Sequence, residues 1–176
     1  MLLQNYASQP GDAYFIPAGT LHAIGAGNLI LEIQQNSDTT YRISDWGRVD
    51  AEGRSRELHV EQGMKSINFM NRTSPRIVGA VGEAGHNRKF DVVGNCPFFR
   101  VDDLRLVEKW IDDTLSGGSF HLLSAVNAPV SVGKEGDPAR RTELSAGETV
   151  LIPAGFGSYT IEPLLPGEST VIKTTL

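Results

Sequence analysis

Three observations predict an all-β protein. Nineteen Gly and nine Pro in 176 residues supply many turns, which favours short strands over long helices. Strand-like stretches separated by turn residues fill the second half of the chain. One strand–turn–strand pattern also occurs twice: "PGDAYFIPAGTLHAI" (10–24) lines up with "AGETVLIPAGFGSYTI" (146–161). At a constant offset Gly11 matches Gly147, Asp12 matches Glu148, and Ile16-Pro17-Ala18-Gly19 matches Ile152-Pro153-Ala154-Gly155. A repeat so widely spaced is not a solenoid unit of a few dozen residues. It implies two copies of one β-domain.

The copies differ in completeness. Each reads as a turn, a short apolar strand, a Pro-x-Gly turn and a second strand. Only ten residues stand before Gly11, so the first copy lacks strands that the second has on its N-terminal side. By this comparison the chain is expected to begin in the middle of a domain. Downstream, Leu29–Ile33 reads as a buried strand interrupted by Glu32. "SRELHVEQGMKSIN" (55–68) reads as a helix with Ser55 as N-cap and Leu58, Met64 and Ile67 as its apolar face, weakened by Gly63. "NRTSPRIVGAVGEAGHN" (71–87) reads as a linker, with His86 solvated. "KFDVVGN", "FFRVDDLRLV", "KWIDDTLS", "SFHLLSAV" and "APVSVGK" then supply strands before Gly147, and "STVIKTTL" supplies one after it. That is enough for a small closed sheet. The predicted division is 1–70, a linker 71–89, and 90–176.

Composition narrows function. A net charge of −5 argues against a general nucleic-acid binder. No apolar run approaches the ~20 residues that span a membrane, and "MLLQNYASQPGD" has no basic n-region or long apolar core of a signal peptide. The single cysteine, Cys96, excludes an internal disulfide, reads as a small packing residue and fits a reducing cytoplasm.

The candidate chemistry lies in the first copy. A Pro-x-Gly-x-x-His turn aims an imidazole from the start of a strand, so His22 is either a metal ligand or a hydrogen-bonded core histidine. It aligns with Ser158, so the turn itself does not require a histidine. Glu32 in a buried strand needs a partner, and Arg42 either pairs with it or stays free for an anion. Arg48, Arg54 and Arg56 read as an anion-binding rim or as a solvated charged loop. His59 on the predicted helix reads as capping or packing, and His121 as core or surface of the second copy.

"PAGTLHA", "LEIQQNSDTTYR" and "RELH", in this order and with this spacing, resemble the type I mannose-6-phosphate isomerases in their short bacterial form, over roughly residues 10 to 65. "LSAGETVLIPAG" resembles the second, non-catalytic cupin barrel of that family more weakly. The resemblance implies two cupin (jelly-roll) barrels with a short helix between them: a remnant of the catalytic zinc barrel and a complete C-terminal one. It implies zinc-dependent interconversion of mannose 6-phosphate and fructose 6-phosphate through an enediolate, in the cytoplasm. His22 matches the last of four zinc ligands, Arg42 an active-site arginine, and Glu32 the acid of the cleft; Arg48 is assigned to the substrate rim. The other zinc ligands, a Gln, a His and a Glu in the family, fall upstream of the matched stretch. Zinc would serve as Lewis acid or template, and Arg42 would stabilise the developing oxyanion; no residue is assigned as the proton-transfer base. A missing N-terminal half or a second copy of the chain would complete the first barrel. Two other readings stand beside this one. One is a non-catalytic module that binds a sugar or a partner. The other is an iron-dependent cupin oxygenase, disfavoured because Ser158 stands where the intact barrel would carry its histidine.

Overall fold

The computed structural model describes residues 3–37, 39–77, 86–94 and 96–176. The chain divides into two compact units, Met1–Ile77 and Val78–Leu176. Part of the expected linker, 78–85, lies outside the described residues.

The first unit has little regular structure: β1 (Ala13–Tyr14), α1 (Val60–Ser66) and β2 (Arg76–Ile77), with β1 and β2 paired antiparallel. The expected strand at 29–33 and the expected second strand after the Pro-x-Gly turn form no ladder, and Leu29 is fully exposed. A strand needs a neighbour for its N–H and C=O groups. Among the described residues of this unit, none pairs with these segments. The helix is shorter than expected and begins after His59, not at Ser55, which instead bridges Val49. Leu58 and Met64 are about half exposed. The buried residue of α1 is Gly63, where a Cβ would meet Ile43 Cγ1 at 2.7 Å. The glycine that weakens the helix by propensity thus permits a close packing contact.

The second unit holds β3 (Arg88–Val93), β4 (Arg100–Leu106), β5 (Trp110–Asp113), β6 (His121–Ala125), β7 (Val130–Lys134), β8 (Arg141–Leu144), β9 (Thr149–Ile152), β10 (Ser158–Pro163) and β11 (Ser169–Thr175). Every pairing is antiparallel, in two sheets of order β5-β10-β7-β8 and β3-β4-β11-β6-β9. From β4 to β7 the chain alternates between the sheets, β8 returns beside β7, and β9 to β11 alternate again. This is the jelly-roll topology. It is a two-sheet sandwich with open edges rather than the single closed sheet expected. Leu104 and Leu106, Leu123 and Ala125, Val130 and Val132, Leu144, Ile152, Tyr159, Ile161 and Val171 form its core. Each fully buried aliphatic side chain contributes on the order of 1.5–3 kcal/mol. Among the described residues, none of the buried hydrophobic ones lies in the first unit.

The sequence repeat survives as hydrogen bonds. Gly11 and Gly147 both have φ of 90°. Asp12 N–H donates to Gln9 O, and Glu148 N–H to Ser145 O, each at 3.0 Å. In return the Asp12 and Glu148 carboxylates accept from the N–H of Gln9 and Ser145, at 2.9 and 2.7 Å. The next turns also correspond, Thr20 N–H to Pro17 O and Phe156 N–H to Pro153 O, at 3.1 and 3.0 Å. In the second unit the strand after the first turn, β9, pairs with β6, and β10 is held between β5 and β7.

Candidate functional site

The residues that the sequence assigns to metal, catalysis or substrate all fall in the first unit. His22 is exposed, and its ring Nδ1 lies 2.9 Å from the Thr20 carbonyl oxygen. A carbonyl only accepts, so Nδ1 carries the proton, and in the neutral ring Nε2 keeps its lone pair. That is the tautomer in which a metal-binding histidine is commonly held. Gly19, at φ +81°, makes the turn possible; a Cβ there would lie 2.8 Å from Ser66 O. The position that aligns with His22 in the complete copy, Ser158, pairs in register with Asp113 of β5, and its hydroxyl donates to Asp113 Oδ2 at 3.0 Å. In a complete copy this position therefore faces a strand equivalent to β5.

Arg42 is held by backbone. Its N–H donates to His59 Nδ1 at 3.3 Å, its carbonyl accepts from His59 N–H at 2.7 Å, and its Nη1 reaches Glu57 O at 3.4 Å. His59 stands at the helix N-cap position without a side-chain cap bond; its ring instead fixes the arginine's main chain. Glu32 is exposed and has no ion-pair or hydrogen-bond partner among the described residues, so it is neither in a buried strand nor paired with Arg42.

A group that the sequence did not single out is the Asp45 carboxylate. It is buried and bound by the Arg56 fork, with Nε at 2.7 Å from Oδ2 and a second bond from Nη2 to Oδ1. The Arg56 hydrogen bond, and the charges of Arg56, Arg42 and Arg48, hold its pKa below the usual carboxylate value against the effect of burial. Arg42 and Arg48 thus share the field of one carboxylate, while neither has an ion pair of its own among the described residues. The turn is tight: Arg48 N–H donates to Asp45 O at 2.9 Å, with Trp46 at φ 56° and Gly47 at φ 68°. "DWG" carried the signal, because a two-residue turn with both φ positive favours glycine.

The second unit places His121 inside its core, 4% exposed, with Nδ1 2.7 Å from the Tyr159 hydroxyl. Lys173 Nζ lies 2.7 Å from Asp112 and 3.4 Å from Asp102. Burial lowers the His121 pKa, and the Lys173 charge adds to this against three aspartates. Among the described residues of the chain, no group of three or more His, Cys, Asp or Glu side chains is placed to hold a metal ion.

The strand order defines the second unit as a jelly roll. By sequence the chain is similar to proteins named mannose-6-phosphate isomerase. It is 35% identical over 164 residues to a probable mannose-6-phosphate isomerase, GmuF, of Bacillus subtilis, covering 92% of this chain and 49% of that protein. It is 33% identical over 174 residues to the mannose-6-phosphate isomerase ManA of the same organism, with the same coverage of 92% and 49%. A mannose-6-phosphate isomerase of Streptococcus mutans is 41% identical over 100 residues, 57% of this chain and 31% of that protein. The chain spans about half the length of the first two curated relatives. No protein-family model matches it. Solved structures similar to it include a cupin superfamily protein of Desulfitobacterium hafniense, at TM-score 0.42 and 8% identity over 55% of this chain and 83% of that one. KdgF of a Halomonas species aligns at TM-score 0.42 and 16% identity over 56% and 86%. No helix of the described residues is long and apolar enough to cross a membrane.

Proposed function

We propose that this chain takes part in the cytoplasmic interconversion of mannose 6-phosphate and fructose 6-phosphate. The observation that carries the reading is its similarity to mannose-6-phosphate isomerases over 92% of its length. In this reading His22 is one ligand of a zinc ion, Arg42 stabilises the oxyanion that develops during proton transfer between adjacent carbons, and Glu32 and Arg48 contact the substrate. The free Nε2 of His22 suits a metal, but a zinc site takes three or four protein ligands. The described residues around His22 do not supply them, so they do not by themselves fit a zinc centre. The reading therefore includes further strands that pair with the segments around 13–33, from another polypeptide that brings the remaining ligands or from a second copy of the chain that supplies strand partners alone. The exposed apolar side chains of the first unit, such as Leu21, Ile24, Leu29, Ile30 and Leu31, support such a partner.

The test is fructose 6-phosphate isomerisation by the chain with zinc and with a chelator. Chelator-sensitive turnover that His22→Ala abolishes supports the reading. Absence of turnover from the folded chain, with zinc present, overturns it for the chain alone. A second reading, a non-catalytic binding module, is favoured by one observation: the complete jelly roll carries Ser158 where the first copy carries His22. Ligand binding without metal or turnover would support it.

A further inference from the structure

The second unit has an opening at one end of its sandwich, a cavity of about 540 Å³ between β7 and β8 of one sheet and β9 of the other. The size suits a small organic ligand. Val132, Val150, Ile152 and Phe156 line it, with two cations, Lys134 and Arg140. Strand alternation explains the mixture. Val130 and Val132 point into the core, so Lys134, two residues on, leaves the same face where the sandwich opens. The β7–β8 register pairs Gly133 with Arg141, and continuing it sets Arg140 opposite Lys134.

Arg141 also borders the cavity, but its guanidinium is engaged elsewhere. It donates to Ser131 Oγ at 2.8 Å and to Thr160 Oγ1 at 3.3 Å, and lies 3.2 Å from Glu162. Lys134 and Arg140 are freer. Lys134 Nζ stands 5.9 Å from the centroid of the Phe156 ring and has no ion pair among the described residues. Among the described residues Arg140 pairs only with Asp137, at 3.5 Å, in an arrangement where both side chains are exposed, 83% and 37%. Such a pair is weak and can yield to a stronger anion. Among the described residues no acidic side chain lines the cavity, on a chain whose net charge is −5.

We propose that this opening binds a small phosphate monoester. Lys134 and Arg140 hold the phosphate, and Phe156 and Val150 receive its organic part. Two cations match the charge of about −1.5 to −2 on a monoester near neutral pH, and a guanidinium grips phosphate through two parallel bonds. The apolar wall gives an organic ester an advantage over the bare ion.

The experiment is a titration of the full chain with phenyl phosphate, followed by backbone amide NMR shifts in a buffer containing chelator. The chelator separates this site from any zinc-dependent one. Expected are saturable shifts at Lys134, Arg140 and Phe156, and at least tenfold weaker binding in the Lys134→Gln/Arg140→Gln double variant. Inorganic phosphate is expected to bind the same amides several-fold more weakly, and Phe156→Leu to remove that difference. Both cations are exposed, so the double variant keeps the fold. Absence of saturable shifts at these amides overturns the proposal. So does unchanged affinity in the double variant, or equal binding of inorganic phosphate and phenyl phosphate.

Discussion

Gly133 lies in the middle of β7, where glycine is normally a weakness. A Cβ there would stand 2.7 Å from Arg140 O and 2.8 Å from Arg141 Cγ. The missing side chain lets β8 and the Arg141 stem close onto β7. Gly133→Ala is therefore expected to lower stability by about 1–3 kcal/mol, read as a lower urea midpoint; an unchanged midpoint would contradict the close approach. His121 offers a second test at this scale. Its folded pKa is lowered by burial and by Lys173, with Asp112, Asp102 and Asp113 opposing. The unfolded chain then binds more protons as pH falls through the ordinary histidine value of 6.5. Stability is expected to fall with acidification from there towards the folded pKa. Asp112 adds a separate loss at lower pH. Burial opposes its carboxylate, but the Lys173 hydrogen bond and charge outweigh burial and hold its pKa below 3.8, so its contribution fades as pH drops through the folded value. His121→Gln should flatten the first slope and leave most of the second, since the His121 charge ranks behind burial, Lys173 and the Asp113 N–H in its influence on Asp112. A midpoint whose pH dependence between about 7 and 5 is the same in both proteins would remove His121 as its source. His22, Arg42 and Arg48 were legible as residue types in a pattern. The Asp45–Arg56 pair and the His59–Arg42 contact were not, because both join positions 11 and 17 residues apart whose proximity depends on the folded loop.

Elements show why one half of the chain was easier to read than the other. Strands β4, β6, β7 and β11 combine apolar periodicity with flanking turns and were expected at nearly the right places. Strand β8, "RTEL", escaped: one of its four residues is buried, and its strand character comes from pairing with β7 rather than from its own pattern. The reverse error occurred at 29–33. Those residues have strand composition, yet no ladder forms around them, because composition sets a preference and a partner's N–H and C=O groups decide the outcome. The repeated turns escaped this dependence, since Gly11 and Gly147 close them by local bonds. These differences should appear in hydrogen exchange. Amides of 21–33 are expected to exchange at near-unprotected rates, while those of β4, β6 and β11, each hydrogen-bonded within the five-stranded sheet, exchange slowest. Strong protection at 21–33 in the chain alone would mean that these segments have found partners, and the reading of the first unit as unpaired would fail.

At the scale of the whole molecule, stability and candidate chemistry are divided between the units. The buried core runs from Val101 to Val171, whereas every residue proposed for isomerisation lies between His22 and Arg48. Leu123 is fully buried in β6, so Leu123→Ala should cost about 2–5 kcal/mol through lost burial and a residual cavity. Met64 and Leu58 are 50% and 49% exposed; truncating either to alanine should move the global midpoint by no more than about 0.5 kcal/mol. The contrast is diagnostic because all three are large apolar residues, and an average hydrophobic contribution would rank them alike. If Met64→Ala destabilises the chain as much as Leu123→Ala, the first unit buries its apolar side chains in solution, either within itself or against another copy of the chain. A concentration-dependent midpoint separates these two cases, since only association responds to protein concentration. In the second case the exposed apolar segments around His22 would be the associating surface, and strand pairing between copies would account for the buried side chains.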